Sequence, residues 1–258
     1  MLMSQRITKK PDFCPQITMK NLKNGLLRID QPYIYLKGIT NIVLAGDVGC
    51  TTLTEKSKNI FRKILRAEAD FFIILGDLVY NGTPAEFEEF IKFSEENTKR
   101  PIFAICGNHD LPSYPQFLGR SNYAIVLDNH VIVAVNNSAE LSKEDLSILE
   151  NILRKHAAKK AIVLFHIPPP TDMAPDLSMW EHKWISIKNV LDKHKRNIEA
   201  IFSGHVHGFQ EYYLEGYHVF ITGGGGAVLQ HYDKDTLKSH HAVRIKFENG
   251  VKFEVIPV

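Results

Sequence analysis

The sequence predicts one α/β domain in which two β-sheets pack face to face with helices outside. Three observations indicate this fold: apolar runs alternate with amphipathic stretches in the first half, strands follow one another in the last third, and no repeat or linker divides the 258 residues. Hydrophobic residues make up 44% and charged residues 23% of the chain, as in ordinary soluble globular proteins. Length and composition therefore argue against disorder, collagen-like repeats and coiled coil.

The first half of the chain predicts alternating strands and helices. Three short apolar runs bounded by Gly have the pattern of buried strands: Ile42–Ala45, Phe71–Leu75 and Ile102–Ile105. Helices are predicted between them over 54–69 and 84–97, and the second begins with the cap pattern Thr83-Pro84 and Glu86. This β-α-β-α-β order predicts right-handed crossovers and a largely parallel first sheet.

The second half predicts a hairpin, two helices and further strands. Residues 123–127 and 131–136 flank Asp128-Asn129, a hairpin-like turn. A helix is predicted over 142–156, because Ser142 and Asp145 are spaced as a capping box. The remaining predicted elements are a helix near 181–194 and strands over 161–165, 200–202, 209–214, 217–222, 241–247 and 251–256.

Charge and cysteine content give expectations about partners and compartment. Lys+Arg 31 against Asp+Glu 29 gives a net charge of +2, which disfavours nucleic acid as a partner. Cys14, Cys50 and Cys106 form no CxxC pair, which favours free thiols in a reducing compartment. The first 16 residues lack an apolar segment of signal-peptide length, and no apolar run reaches the ~18 residues of a membrane span. We expect a cytoplasmic protein without a membrane partner, folded as one domain over 1–258 with a loosely ordered segment at 1–15.

Polar side chains gather where five predicted strands end. The set comprises Asp47, Asp77, Asn108, His109, Asp110, His166, His205 and His207. Gly-Asp and Gly-Asn are common turn dipeptides, so any one of these positions has a simple structural explanation. The carboxyl ends of parallel strands are, however, where open α/β sheets bind ligands. Because polar side chains follow five separate strands at such ends, the sequence predicts a functional site there.

These side chains favour a metal site with two ions. Oxygen and imidazole ligands without thiolate suit Mg, Mn, Fe or Zn. Two of these carboxylates, the amide and three of the histidines already exceed what one tetrahedral ion needs. They suffice for two ions about 3.5–4 Å apart that share a carboxylate, the arrangement that assists in-line phosphoryl displacement. The residues therefore predict a dinuclear hydrolase of phosphate esters.

Five short motifs occur in an order that resembles the calcineurin-like metallophosphoesterase superfamily. They are GD at 46–47, GDLVY at 76–80, GNHD at 107–110, VLFH at 163–166 and GHVH at 204–207. The resemblance implies the metallo-dependent phosphatase fold, a four-layer α/β/β/α sandwich of two mixed β-sheets flanked by helices. It also implies a small-molecule phosphate ester as substrate, without indicating the oligomeric state.

The chain departs from the usual motif at its first metal site. Most members open with Asp-x-His, but the third position here is Gly49, and Tyr80 follows Asp77 by three residues. This combination is similar to the purple acid phosphatase branch, in which tyrosinate holds ferric iron. The resemblance implies two metal ions with a shared Asp77. The first would be bound by Asp47, Asp77, Tyr80 and His207, and the second by Asp77, Asn108, His166 and His205.

Charge arithmetic supports a ferric first ion. Two carboxylates, one phenolate and a bridging hydroxide sum to −4, so Fe(III) with a divalent ion leaves a net charge of +1 that attracts phosphate. Fe(III) plus Fe, Mn or Zn is therefore the expected pair, with two divalent ions as the alternative. A packing role for Tyr80 stays open, and a reducing compartment opposes Fe(III).

The resemblance also implies roles around the metal ligands. His109 would hydrogen-bond the phosphate and protonate the leaving oxygen, with Asp110 orienting it; a purely structural His109 is the alternative. Asn108 and His182 are candidate substrate contacts, although a solvent-facing His182 is equally compatible with the sequence. Three features give weaker signals. Cys50 is either a buried thiol or a metal contact, and His240-His241 either supports the site or lies at the surface. Gly223–Gly226 is expected to form a tight turn where a strand ends.

The function predicted from these residues is in-line attack of metal-bound hydroxide on a phosphomonoester, as in acid phosphatases. A cyclic nucleotide phosphodiesterase or a nucleotidase of the same superfamily is the alternative. A non-catalytic scaffold is the alternative from another class, supported only by the missing His at position 49. Substrate choice is expected to depend on loops such as 167–182.

Overall fold

Two β-sheets form the centre of the computed structural model, which describes residues 22–49, 54–234, 237–248 and 250–258. The expectations for residues 1–15, Cys14 and Cys50 lie outside these ranges. Cys106 is a free, buried thiol. Within the described ranges, no helix has both the length and the apolarity needed to cross a membrane.

The first sheet has six strands and is parallel over most of its width. Its spatial order is β1 (Gly25–Leu26), β5 (Pro101–Ala104), β4 (Phe71–Ile74), β3 (Asn41–Ala45), β12 (His241–Lys246) and β13 (Lys252–Pro257). The first four strands pair in parallel, and β12 and β13 add antiparallel pairings at one side. The predicted parallel β-α-β-α-β unit is confirmed.

The second sheet has seven strands and is mixed. Its spatial order is β10 (Phe209–Leu214), β11 (Tyr217–Thr222), β9 (Ile198–Ser203), β8 (Lys160–Leu164), β7 (His130–Ala134), β6 (Tyr123–Val126) and β2 (Tyr33–Tyr35). The predicted hairpin is the antiparallel pair β6–β7. Strands β7, β8 and β9 run in parallel, so their carboxyl ends lie at one edge.

Five α-helices flank the sheets in the part of the chain that the structure describes. They are α1 (Glu55–Ile64), α2 (Pro84–Asn97), α3 (Tyr114–Leu118), α4 (Lys143–Lys155) and α5 (Glu181–Leu191). The predicted capping box from Ser142 to Asp145 is present at α4, and the predicted helix start at Thr83 also forms a capping box, with Glu86 of α2. Helix α1 ends five residues earlier than predicted. Helix α5 ends three residues earlier, because the chain continues there as a 3₁₀ helix. The short elements β1, β2 and α3 had no distinct sequence pattern.

Three buried apolar clusters separate the layers. The cluster between the sheets takes Leu44 and Phe103 from one sheet and Leu164 and Phe202 from the other. A second cluster packs α1 and α2 on the first sheet, and a third packs α4 and α5 on the second. Full burial of such a side chain contributes ~1.5–3 kcal/mol. The four-layer α/β/β/α sandwich is thus confirmed.

Candidate metal centre

The predicted ligands come together where parallel strands of both sheets end. Asp47, Asp77 and Asn108 follow β3, β4 and β5, while His166 and His205 follow β8 and β9. Only four non-glycine residues in the described part of the chain have positive φ. Three of them are the predicted ligands Asp47, Asp77 and His205, with φ of 60°, 54° and 67°. Left-handed backbone is unfavourable for such residues, and it aims each side chain sharply out of its strand.

Asp77 is at the centre of the cluster. One ligand atom each from Asp77, His166 and His205 lies within 4.8 Å of the other two. His166 Nε2 lies 3.3 Å from Asp77 Oδ1, 2.9 Å from Asn108 Oδ1 and 3.2 Å from His205 Nδ1. His166 and Asp77 are buried, whereas Asn108 is exposed. The structure therefore brings together all four residues predicted to hold the second ion.

Backbone carbonyls orient two of the histidines. His166 Nδ1–H donates to the carbonyl of Leu75 at 2.8 Å, and His207 Nδ1–H donates to the carbonyl of Val228 at 3.0 Å. Holding the proton on Nδ1 leaves Nε2 of each ring as the atom that faces the carboxylates. Metal-binding histidines are commonly fixed in this way.

Asp47 carries a buried oxygen without a hydrogen-bond donor. Its Oδ2 accepts from the backbone N–H of His205 at 2.8 Å. Its Oδ1 is buried and has no hydrogen-bond partner among the described residues, and the nearest imidazole nitrogen, His207 Nε2, is 3.6 Å away. An unpaired buried carboxylate oxygen is costly unless a cation satisfies it.

The pKa shifts of the clustered residues also favour a bound cation. Burial raises the pKa of Asp47 well above its usual range, and the charge of Asp77 adds to this. Burial acts likewise on Asp77, but the charge and hydrogen bond of His166 hold the pKa of Asp77 below its ordinary value. Although burial acts to lower it, the charge of Asp77 raises the pKa of His166 to about 9. Burial and the charge of His166 lower the pKa of His205 to about 3. The two carboxylates thus favour a positive charge between them.

The chain packs closely around these ligands. A Cβ at Gly107 would lie 2.1 Å from Asp77 Oδ1, so a side chain there would displace the carboxylate. A Cβ at Gly49 would lie 1.6 Å from the carbonyl oxygen of Leu78. The backbone around position 49 therefore has no room for a histidine side chain, which agrees with the absence of the Asp-x-His ligand.

Asp110 has contacts that differ from the expected ones. It is fully buried, and its two oxygens accept backbone N–H groups of Asp77, Leu78, Val79 and Gly107 at 2.8–3.2 Å. These contacts fix the loop that carries Asp77. The imidazole of His109, which Asp110 was expected to orient, is instead held by a backbone carbonyl. The difference arises because the carboxylate turns inward to satisfy four buried amides.

His109 and Tyr80 form a second pair beside the cluster. The N–H of His109 donates to Asp77 Oδ1 at 3.0 Å, and its Nδ1–H donates to the Tyr80 carbonyl at 2.7 Å. The two rings stack with centroids 5.3 Å apart. The side chain of Tyr80 is 44% exposed. Nε2 of His109 is thereby left available for a ligand.

The weaker candidates fall in different places. His182 is exposed on the first turn of α5 and lies 5.7 Å, ring to ring, from Trp180. His241 is fully buried, and a Cβ at Gly224 would lie 2.3 Å from its ring. The glycine-rich exit is tied to the first motif, because Gly225 N–H donates to Gly46 and Ala227 N–H donates to Asp47, at 2.9 and 2.8 Å.

Three residues near the centre were missed by the sequence analysis. Buried Asn137 accepts the backbone N–H groups of His166 and Ile167 at 3.0 and 3.1 Å. Trp180 and Lys183 line a cleft that reaches His205. Asn137 follows the apolar run of β7 and had the strand-end signal used for the others. Trp180 and Lys183 carried no comparable signal.

These residues fit a metal-binding site. The group comprises buried carboxylate and imidazole donors, one carboxylate oxygen lacks a partner, and no thiolate is among the clustered atoms. Hard oxygen and imidazole donors of this kind suit divalent or trivalent transition metals and Mg²⁺.

The fold and the cluster define a four-layer α/β/β/α protein with a carboxylate–histidine centre at its strand ends. A family model for calcineurin-like phosphoesterases matches residues 40–209. The chain therefore belongs to the calcineurin-like phosphoesterase family, whose members typically use two metal ions.

Individual relatives show sequence and fold similarity. The probable cyclic nucleotide phosphodiesterase of Ruthia magnifica subsp. Calyptogena magnifica is 29% identical over 166 residues, covering 60% of this chain and 69% of that protein. The purple acid phosphatase PPD1 of yellow lupin (Lupinus luteus) superposes with a TM-score of 0.69 at 16% identity over 86% of this chain. The matched part is 52% of the lupin chain, about half its length. GAP50, the anchor in the inner membrane complex of Plasmodium, superposes with a TM-score of 0.62 at 11% identity, covering 84% of each chain.

Proposed function

We propose that the protein is a dinuclear metal-dependent phosphohydrolase. The main support is that ligand atoms of Asp77, His166 and His205 lie within 4.8 Å of one another. The buried Oδ1 of Asp47, which has no hydrogen-bond partner among the described residues, adds to it. The first ion would be held by Asp47, Asp77, Tyr80 and His207, and the second by Asp77, Asn108, His166 and His205. Bound ions of this type stabilise developing phosphate charge and supply an activated water.

The chain's own residues position the reacting ester. Asn108 is exposed beside the cluster and offers an amide to a phosphate oxygen, while its Oδ1 faces His166. His109 is held at both its backbone N–H and its Nδ1, which directs Nε2 outward. In this proposal Nε2–H hydrogen-bonds the phosphate and gives its proton to the leaving oxygen. General acid catalysis of this kind contributes roughly 10²–10⁴-fold.

Asp110 acts through the loop it fixes in this proposal. By accepting the N–H groups of Asp77, Leu78 and Val79, it holds the loop that presents both Asp77 and Tyr80. It is therefore a positioning residue for this loop, while the Tyr80 carbonyl orients the His109 ring.

Tyr80 is the proposed anionic ligand that replaces the missing histidine. Its support is the steric block at Gly49, which leaves the first ion short of a ligand, and its position three residues after Asp77. A phenolate favours a trivalent ion, so Fe(III) with Fe, Mn or Zn is the proposed pair and two divalent ions are the alternative. The Tyr80 ring stacks on His109 and is 44% exposed.

Phosphomonoester hydrolysis is our first assignment, on the strength of Tyr80 and Gly49. Phosphodiester hydrolysis of cyclic nucleotides is the second, supported by the 29% identity to a probable cyclic nucleotide phosphodiesterase. Both assignments involve hydrolysis of a small phosphate ester. We also propose that the protein is cytoplasmic, does not bind nucleic acid and forms a single domain over 1–258.

A scaffold role is the competing proposal, since an anchor protein shares the fold. The buried, mutually oriented ligands weigh against it, because a scaffold does not need an unpaired buried carboxylate oxygen.

The test is hydrolysis of a panel of phosphomonoesters and cyclic phosphodiesters by protein with measured metal content. We expect metal-dependent turnover that Asp77→Asn abolishes, with monoesters preferred. Cyclic diesters as the preferred substrates would support the second assignment. Absence of turnover by metal-loaded wild type across the panel would overturn the hydrolase proposal in favour of the scaffold.

A further inference from the structure

A cleft of about 360 Å³ opens beside the metal centre. His205 is one of its lining residues, and the walls come from the segment after β7 and from the segment that leads into α5. Residues on the first wall include Ser138 and Glu140, and residues on the second include Asp176, Trp180 and Lys183. Ser138 Oγ–H donates to the carbonyl of Cys106 at 2.7 Å, which ties the first wall to the end of β5. The cleft is thus an extension of the metal centre with space for the organic part of an ester.

Trp180 presents a large aromatic surface at this cleft. Its side chain is 71% exposed, although its neighbours Met179 and Trp184 are buried. Its carbonyl accepts the N–H groups of Lys183 and Trp184 at 3.0 and 3.1 Å, so the backbone is fixed at the start of α5. A tryptophan on a fixed backbone with most of its surface exposed is suited to stack on a planar ring.

Lys183 adds an anchored cation one helical turn further on. Its Nζ–H groups donate to the carbonyls of Asn137 and Ala139 at 3.2 and 3.0 Å. Asn137 in turn accepts the backbone N–H of His166. The ammonium has three donors, so one remains for a ligand beyond these two contacts. The cation is therefore connected by two hydrogen-bonded steps to the metal centre.

The charges of the cleft restrict what it accepts. Two carboxylates, Glu140 and Asp176, line it with the single ammonium of Lys183. An excess of negative charge disfavours additional phosphates on the substrate. The cleft offers the aromatic face of Trp180, one remaining N–H of Lys183 and the two carboxylates as hydrogen-bond acceptors. These features suit a planar, uncharged group that has hydrogen-bond donors and acceptors along its edges.

We propose that this cleft is a subsite for the nucleobase of a nucleoside phosphate ester, with Trp180 stacking on the base and Lys183 contacting its polar edge. The inference rests on the proposed function, since it assumes that the ester phosphate lies at the metal centre. Trp180 and Lys183 are specificity-determining residues in this scheme and take no part in the proton transfer assigned to His109.

The test compares two monoesters of the same primary hydroxyl, adenosine 5′-monophosphate and ribose 5-phosphate. Because their leaving groups are chemically alike, a difference in kcat/KM reports on the base. We expect Trp180→Leu to lower kcat/KM about tenfold for adenosine 5′-monophosphate, which corresponds to ~1.4 kcal/mol, and less than about twofold for ribose 5-phosphate. Trp180→Phe should restore most of the loss. Tyr213→Leu is the matched control, because Tyr213 is a 73% exposed aromatic on β10.

A binding measurement separates this proposal from the hydrolase proposal. Adenosine 5′-monophosphate should quench the tryptophan fluorescence of metal-loaded wild type and of Tyr213→Leu, but not of Trp180→Leu, whose remaining Trp184 is buried. Quenching without hydrolysis of either ester would support the subsite while the monoesterase assignment fails. Equal hydrolysis of both esters by wild type and Trp180→Leu, with no quenching, would overturn the subsite and leave the hydrolase intact.

Discussion

The Nδ1 of His109 lies 2.7 Å from the carbonyl oxygen of Tyr80, and the rings of the two residues stack with 18° between their planes. One residue thus holds the proposed proton donor through its backbone and covers it with its side chain. A substitution of the Tyr80 side chain leaves the carbonyl in place, so the effects of ligand loss and of a misplaced His109 are separable.

Removing the proton donor should affect esters according to their leaving groups. We expect His109→Ala to lower kcat by roughly 10²–10⁴-fold for an alkyl phosphate. The loss should be much smaller for p-nitrophenyl phosphate, because nitrophenolate leaves without a proton. Steady-state kinetics on both esters, with metal content measured in parallel, check this. An equal loss on both esters at unchanged metal content would contradict the assignment of His109 as general acid.

Tyr80→Phe tests the proposed tyrosinate ligand while keeping the stacked ring. If Tyr80 binds Fe(III), aerobically purified wild type should absorb visible light through a tyrosinate-to-iron band, and the variant should lose that band and part of its iron. Absorption spectra with metal analysis measure both. Colourless wild type that carries only Mn or Zn would eliminate the ferric assignment. Coloured protein with identical iron content in Tyr80→Phe would show that Tyr80 only packs.

Restoring the usual family motif should damage this protein. A Cβ at position 49 would lie 1.6 Å from the carbonyl oxygen of Leu78, so Gly49→His must displace the loop that carries Asp77. We expect an unfolding free energy lower by ~3 kcal/mol, at the upper end for overpacking. Gly49→Ala is the matched control, because the clash is already present at Cβ. A Gly49→His variant that is more stable than Gly49→Ala and binds more metal would contradict this expectation.

Much of the fold was predictable because its strands are apolar runs with clear ends. The capping pairs at Thr83 and Ser142 located two helix starts correctly, since a cap is a local property of a few residues. The cluster around Asp77 was also predictable, because parallel strands bring their carboxyl ends to one edge.

Other features depend on contacts between segments far apart in the chain. Asp110 accepts amides from a loop 31–33 residues earlier, and no local pattern distinguishes this role from orienting the adjacent His109. The block at Gly49 results from its approach to Leu78, and the exposure of Trp180 depends on how α5 is placed. Sequence spacing indicates which residues share an edge, but tertiary packing decides which atoms meet.

Asp110→Asn distinguishes the two roles of Asp110. Its carboxylate accepts four backbone N–H groups, and an amide would present an NH₂ donor to some of them. Because the site is fully buried, we expect the unfolding free energy to fall by ~3 kcal/mol and metal affinity to fall with it. Denaturant unfolding and metal titration measure these changes, and Asp233→Asn, at an exposed position, controls for the loss of a charge. If Asp110 instead served mainly to orient His109, the variant would retain wild-type stability and metal content while losing activity on esters with poor leaving groups. Three short contacts to the loop that carries Asp77, with a fourth to Gly107, make the loss of stability the expected result.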